Sequence, residues 1–236
     1  MKVVYLIISV VASFATSTAV AGSWAKTNDS RIKEMKVDKK LVGVSFDIPH
    51  VSQPDANTCG ATNMHIAMRW LFGASMDIKP IYDKVNTNGE VGIQMQEMLS
   101  GLSSLVTIQN GKNGNVRVNP NEAEYKDIRG AIKGMMSHMH SKQRPVIIVG
   151  NTDRGLPWWW QAGGHYYTPT RVIYDNVSKK NKFGLEFIDS VYKSPAGFSI
   201  KGVSPSTFIS DKELATYWKP TGSAKPWLRK VRYITY

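Results

Sequence analysis

The sequence predicts an α+β fold, because two kinds of hydrophobic pattern divide the chain. Between residues 59 and 139, apolar residues recur at steps of three and four, which is typical of helices that bury one face. From residue 145 onward, short apolar runs and alternating runs predominate, and both are typical of strands. We see no internal repeat and no low-complexity linker between these parts. We therefore expect one domain with a helical first half and a strand-rich second half.

The first 21 residues have the pattern of a secretory signal peptide. Lys2 supplies the positive start, residues 3–14 form a short apolar stretch, and residues 19–21 (Ala-Val-Ala) form a small-x-small cleavage site. The apolar stretch is shorter than a membrane-spanning helix requires. We therefore expect a secreted or periplasmic protein with no stable membrane insertion.

The mature chain is expected to begin with a flexible arm at residues 22–42, which are polar and rich in lysine. A removable pro-segment is the open alternative for this arm. The domain itself is predicted to span residues 43–236. It begins with a strand at residues 42–48, where apolar and polar residues alternate. A loop with two prolines follows and leads to the first helix.

Four helices are predicted in the first half. The first begins at Cys59 and is closed by Gly73, a typical helix-terminating residue. The other three are predicted at residues 76–85, 93–102 and 125–139. The stretch 103–122 is rich in Asn and Gly, and it is predicted to hold at most a short strand at residues 105–109.

The second half is predicted to consist of strands and one short helix. The strands are expected at residues 145–150, 165–175, 183–190 and 228–236, and the helix at 208–218. Pro169, between Thr168 and Thr170, interrupts the second of these strands. Because proline cannot donate to a neighbouring strand, an edge position or a bulge is expected there.

Cys59 is the only cysteine in the 236 residues. It therefore cannot form an intramolecular disulfide or a multi-cysteine metal site, and it is either a buried structural thiol or a nucleophile. A helix N-terminus lowers the pKa of a thiol and raises its thiolate fraction. The polar loop before Cys59 and Gly60 after it favour the nucleophile.

Three further residues supply the other groups that a thiol hydrolase needs. His165 follows two glycines at the start of one predicted strand, and Asp189 ends the next. In an antiparallel hairpin these two positions meet, so Asp189 is predicted to orient His165. Asp175, at the end of the His165 strand, is the competing carboxylate. Gln53 precedes Cys59 by six residues, so its amide is predicted to donate a hydrogen bond to an oxyanion.

The loop before His165 is predicted to border the substrate cleft. It contains Trp158, Trp159 and Trp160, and three adjacent indoles cannot all face one side of an extended chain. At least one of them is expected to be exposed or to contact a partner. We therefore predict that these tryptophans, together with Gly164, lie on the substrate side of the site.

The chain carries a net charge of +12, which favours acidic partners. The basic residues are scattered, without a basic helix, a zinc-finger spacing or an RNA-binding aromatic motif, so no nucleic-acid binding is expected. The simpler interpretation of the charge is a solubilising surface. His138 and His140 are two residues apart and do not share a helical face, so no metal site is predicted, and no cofactor is expected.

At these residues the sequence resembles the papain-like cysteine peptidases of the bacteriocin-processing (double-glycine-leader) type and their exported bacterial relatives. The resemblance runs from about residue 49 to residue 218. It is carried by Gln53, Cys59-Gly60, the helix ending in Phe72-Gly73, the strand at 145–150, Gly164-His165-Tyr166, Asp189 and the helix at 208–218. The sequence departs from the family at Ala61 and at Ser190, where the family usually has proline.

The resemblance implies a papain-like two-lobed domain, in which a helical N-terminal lobe carrying the cysteine helix packs on a C-terminal antiparallel sheet. It implies that Cys59 is the nucleophile and His165 the general base and acid. It also implies that Asp189 orients His165 and that Gln53 donates to the oxyanion. The expected activity is hydrolysis of a peptide or isopeptide bond in a protein or peptide substrate.

Three alternative functions remain open from the sequence. A thiol acyltransferase of the phytochelatin-synthase-like kind, or a cell-wall peptide amidase, would use the same catalytic groups. A non-catalytic papain-like binding module or toxin would use none of them. The oligomeric state cannot be derived from the sequence.

Overall fold

A computed structural model describes residues 23–73, 76–89, 92–113, 115–151, 164–178, 181–195, 202–218 and 231–236. Within these ranges the chain forms five helices and nine strands and is therefore α+β, as the sequence predicts. The predicted signal peptide lies outside the described residues. None of the helices in these ranges is both long and apolar enough to cross a membrane.

The helices and strands alternate irregularly along the chain. The helices are α1 Cys59–Phe72, α2 Ile78–Val85, α3 Met95–Asn113, α4 Ile128–Lys142 and α5 Asp211–Trp218. The strands are β1 Ser23–Lys26, β2 Ile32–Val37, β3 Lys40–Phe46, β4 Asn121–Tyr125, β5 Ile147–Asn151, β6 Gly164–Asp175, β7 Lys182–Asp189, β8 Ile209–Ser210 and β9 Val231–Thr235.

All nine strands belong to one antiparallel sheet. Its main order is β1-β2-β3-β6-β5-β9-β4, and β7 pairs with β6 and β8 with β7. The long strand β6 pairs with β5 through residues 164–167 and with β3 through residues 171–173. Pro169 falls between these two stretches, and the pairing with β7 shifts register between Pro169 and Arg171. The predicted bulge is therefore present, and it places the proline where no hydrogen bond to β5 or β3 is needed.

Residues 22–42 were expected to form a flexible arm, and the structure shows strands there instead. β1 and β2 pair with each other, and β2 pairs with β3. The lysines of β2 occupy outward positions, while Ile32 and Val37 at its ends are 1% and 4% exposed. A bulge between Met35 and Lys36 breaks the alternation, which is why the sequence pattern did not indicate a strand.

The predicted strand at residues 105–109 is wrong, because α3 continues through it to Asn113. Leu102, Leu105 and Val106 lie on the buried face of this long helix. Gly101 is required by the packing, since a Cβ atom there would lie 2.6 Å from a methyl group of Val85. The glycine therefore marks a close helix contact rather than a helix end.

The division into a helical half and a strand-rich half is only partial, since β1–β4 precede α4. Helices cover both faces of the central sheet. Ile147 and Ile148 are neighbours on β5, yet they belong to two separate hydrophobic clusters, and so do Tyr166 and Tyr167 on β6. One cluster contains the buried face of α4, and the other contains those of α1–α3. The uninterrupted apolar run of β5 follows from burial on both sides.

Candidate active site

Cys59 is the first residue of α1, and 8% of it is exposed. The helix ends as predicted, with Gly73 in the left-handed conformation at φ 73° and its N–H bonded to the Arg69 carbonyl. Gly60 lets the start of the helix pack closely, since a Cβ atom there would lie 3.0 Å from Ile93 Cβ and 3.2 Å from Met98 Sδ. The nucleophile candidate therefore stands at a rigid, tightly packed helix N-terminus.

His165 and Asp189 meet across the β6–β7 pair. Asp189 lies opposite Tyr167 in the register, and His165 is two residues before Tyr167 on the same face of β6. His165 Nε2 lies 3.0 Å from Asp189 Oδ1, and both side chains are buried. The Tyr167 ring contacts the imidazole edge-on with 4.5 Å between centroids. Strand register and packing together fix the orientation of the imidazole.

The Asp189 carboxylate is fully engaged. Its Oδ1 also accepts from the N–H of Val191 at 3.1 Å, and its Oδ2 accepts from the N–H of Val203 at 2.9 Å. Burial raises the pKa of Asp189, but the His165 hydrogen bond and charge and these two N–H groups outweigh it and lower the pKa. Asp189 is therefore ionised at neutral pH and can stabilise a charged imidazole.

The other polar neighbour of His165 is the Cys59 thiol, and the interaction between the two shifts the pKa of both groups. Because Nε2 is engaged by Asp189, Nδ1 is the ring nitrogen left to face the sulfur. Burial lowers the pKa of His165, but the interactions with Asp189 and Cys59 outweigh burial and raise the pKa to about 10. The imidazole is therefore protonated over the neutral range.

The thiol responds in the opposite direction. Burial raises the pKa of Cys59. The interaction with His165 and its charge lower this pKa, and so do the backbone N–H groups of Tyr166 and Gly60. The lowering effects outweigh burial, so the pKa of Cys59 falls below the ordinary thiol value. A lowered thiol pKa beside a raised imidazole pKa describes a thiolate–imidazolium pair. This pair titrates as a unit.

Asn63 joins the nucleophile helix to the histidine strand. Its Nδ2 donates to the Cys59 carbonyl at 2.8 Å and to the Tyr166 carbonyl at 2.9 Å, and its Oδ1 accepts from Thr168 Oγ1 at 2.5 Å. Asn63 is 0% exposed. One side chain thus connects the backbone of Cys59 with the residue that follows His165. The sequence prediction missed this residue, although a polar side chain one turn after the cysteine on an apolar helix face was a usable signal.

Gln53 is buried and held by the segment that follows Asp189. Its N–H donates to the Ser190 carbonyl at 2.8 Å, and its Oε1 accepts from Ser190 Oγ at 2.6 Å. Its Nε2 donates to the Asp55 carbonyl at 2.7 Å, and among the described residues this is its single acceptor. The second N–H of this amide has no acceptor among the described residues. Ser190 holds Gln53 in place through these two bonds.

The structure describes only some of the other predicted residues. Gly164 is the first residue of β6 and pairs with Asn151 on β5, whereas Trp158, Trp159 and Trp160 lie outside the described residues. Asp175 is a turn former, since its carboxylate accepts from the N–H groups of Val177 at 3.1 Å and Ser178 at 2.9 Å.

His140 and His65 do not join the site. His140 Nδ1 lies 2.9 Å from Glu34 Oε1, and His65 Nδ1 lies 2.8 Å from the Met76 carbonyl. Within the described ranges, no group of three or more His, Cys, Asp or Glu side chains is arranged to hold a metal ion.

No protein-family model and no curated protein sequence matches this chain. The geometry of Cys59, His165 and Asp189 is therefore the basis on which a function is inferred.

Proposed function

We propose that the protein is a cysteine peptidase that hydrolyses a peptide or isopeptide bond. The observation that carries this proposal is that the buried Cys59 interacts with His165, whose Nε2 lies 3.0 Å from Asp189 Oδ1. A nucleophile, a shared proton carrier and an orienting carboxylate are the groups that covalent acyl transfer requires. Their pKa shifts favour a thiolate that is ready to attack at neutral pH.

The reaction begins with attack of the Cys59 thiolate on the substrate carbonyl carbon. The carbonyl oxygen becomes an oxyanion, which accepts hydrogen bonds from the Cys59 backbone N–H and from Gln53 Nε2. The N–H of Cys59 suits this role because the first residues of a helix have no intrahelical acceptor. The proton on His165 then passes to the leaving amine, and the C–N bond breaks to give a thioester. Water, deprotonated by His165, attacks the thioester and releases the acid and the thiolate.

A papain-like arrangement is part of this proposal. The cysteine at the N-terminus of a helix, packed against a sheet that carries the histidine and its carboxylate on neighbouring strands, supports it. The sheet here also includes the β1–β3 segment from the N-terminal part of the chain. The β1–β3 segment does not come between α1 and the strands β6 and β7, so Cys59 still faces His165.

Export and an acidic peptide substrate complete the proposal. The signal-like pattern of residues 1–21 supports export, and the net charge of +12 favours an acidic substrate. Both are independent of the catalytic chemistry.

The test is cleavage of a denatured bacterial proteome, with new peptide termini identified by mass spectrometry. We expect the wild-type protein to produce a consistent set of new termini and Cys59→Ala to produce none. Equal cleavage by Cys59→Ala would contradict the mechanism. Addition of a primary amine distinguishes hydrolysis from acyl transfer, because a transferase would give amide products in place of free acids.

A further inference from the structure

One face of the sheet, at the end formed by β1, β2, β3 and β6, carries a row of long cationic side chains. In the strand register Lys26 lies opposite Lys33, Lys33 opposite Ser45, and Ser45 opposite Arg171. Residues directly opposite one another on neighbouring strands point to the same face. The row therefore crosses four strands in the order β1, β2, β3 and β6.

The middle of this row is a trough. Ser45 has a short side chain, and it is flanked by Lys33 and Arg171, whose backbones lie about 10 Å apart at two strand spacings. A groove of about 330 Å³ lies at this position, and Thr170 and Ser206 add hydroxyl groups to its lining. Trp24 borders the trough on one side. Its ring lies over Gly43, and the ring centroid is 5.2 Å from the Arg171 guanidinium.

The donors in this trough are not fully used. Lys26 and Lys33 have no acidic partner among the described residues, and like charges directly opposite one another destabilise a strand pair. Arg171 Nη1 is bonded to Glu186 Oε1 at 2.6 Å, but its Nε atom is buried and has no acceptor within the described part of the chain. The Lys33 ammonium and Arg171 Nη2 therefore keep N–H groups that no described residue accepts.

Edge lysines alone do not explain the arrangement. Lys26 lies on the edge strand β1, where a lysine prevents pairing with another sheet. Lys33 and Arg171, however, lie on interior strands. Asp47 and Glu186 also line the groove, but among the described residues neither forms an ion pair with Lys33. Lys33 and Arg171 place positive charge on the two sides of the trough, and Ser45 places a hydroxyl group at its base. This arrangement of donors suits a tetrahedral oxyanion.

We propose that the trough over Ser45, between Lys33 and Arg171, binds a phosphate or sulfate group of a ligand. This site is separate from Cys59, so the proposal does not depend on the peptidase activity. Either group would accept from the Lys33 ammonium, the Ser45 hydroxyl and Arg171 Nη2. Lys26 adds a second positive charge about one strand spacing away.

Isothermal titration calorimetry with inorganic phosphate and with inorganic sulfate tests this site. We expect saturable binding of at least one ion, weakened about tenfold in Lys33→Gln, because a charge-assisted hydrogen bond is lost. Arg171→Lys, which keeps the charge but removes Nη2, is expected to weaken binding as well. Preference for one ion identifies which group the ligand carries.

The matched control is Lys84→Gln, which removes one positive charge from α2, away from the sheet face. It is expected to leave binding unchanged. Equal weakening by Lys84→Gln and Lys33→Gln would show diffuse charge attraction and overturn the proposal. Absence of saturable binding of both ions by the folded wild-type protein would overturn it too.

Discussion

Replacement of Asn63 by leucine tests whether the link between α1 and β6 maintains the reactive thiolate. Leucine has the same number and branching of side-chain heavy atoms, but it removes all three hydrogen bonds to Cys59, Tyr166 and Thr168. At about 1 kcal/mol for each bond, the free energy of unfolding should fall by about 3 kcal/mol. For a domain of this size that corresponds to a decrease in Tm of about 6–12 °C.

The effect on reactivity should be comparable in free energy with the effect on stability. A displacement of about 1 Å between reacting groups costs about a hundredfold in rate. The assay is alkylation of Cys59 by iodoacetamide as a function of pH, followed by mass spectrometry below the melting temperature of each variant. Because Cys59 is the only cysteine, the labelling is unambiguous. The pH dependence of the labelling rate gives the pKa of the Cys59 thiol, here called the labelling pKa. We expect this pKa to rise toward the ordinary thiol value in Asn63→Leu.

Two variants separate the link from general destabilisation. Thr168→Val removes one of the three hydrogen bonds and should cost about 1 kcal/mol, with a smaller rise in the labelling pKa. Thr62→Val is the matched control, since the Thr62 hydroxyl is equally buried on α1 but donates to Thr58 within its own helix. It should leave the labelling profile unchanged. A wild-type labelling profile in folded Asn63→Leu would refute the positioning role.

The remaining predictions concern the other members of the site. The pH dependence of kcat/KM should be bell-shaped, with an acid limb below the ordinary thiol pKa as Cys59 is protonated and an alkaline limb near 10 as His165 loses its proton. Asp189→Asn removes the charge that raises the His165 pKa, so the alkaline limb should move down by about 1–3 pH units; an unmoved limb would contradict that role. Gln53→Ala should lower kcat by about 10²–10³-fold with little change in KM, if its free N–H binds the oxyanion. Ser190→Ala should give a smaller loss in the same direction, because it leaves Gln53 in place but less firmly held.

Much of the candidate site could be located from local sequence signals. Cys59 stands out as the only cysteine at a helix start, and strand alternation around His165 and Asp189 was sufficient to anticipate that a hairpin brings them together. The position of Pro169 likewise predicted the bulge. These features are determined by residues close together in the sequence, so local sequence patterns were enough to predict them.

The rest depends on contacts between distant segments. The bonds from Asn63 to β6 and from Gln53 to Ser190 link residues more than 100 positions apart, and no local pattern indicates such partners. The N-terminal strands were missed because lysines on the outward face gave β2 the composition of a solvated arm. The length of α3 was missed because the stretch 103–122 is rich in Asn and Gly, and the burial of Leu105 and Val106 is visible only in three dimensions.

The central claim is that Cys59 is a thiolate paired with the His165 imidazolium at neutral pH. Titration of the ultraviolet absorbance of the thiolate tests it directly, with Cys59→Ser as the blank. We predict a single transition below the ordinary thiol pKa of about 8.5, shifted upward in His165→Gln. A transition at or above the ordinary value in the wild-type protein, unaffected by His165→Gln, would contradict the account.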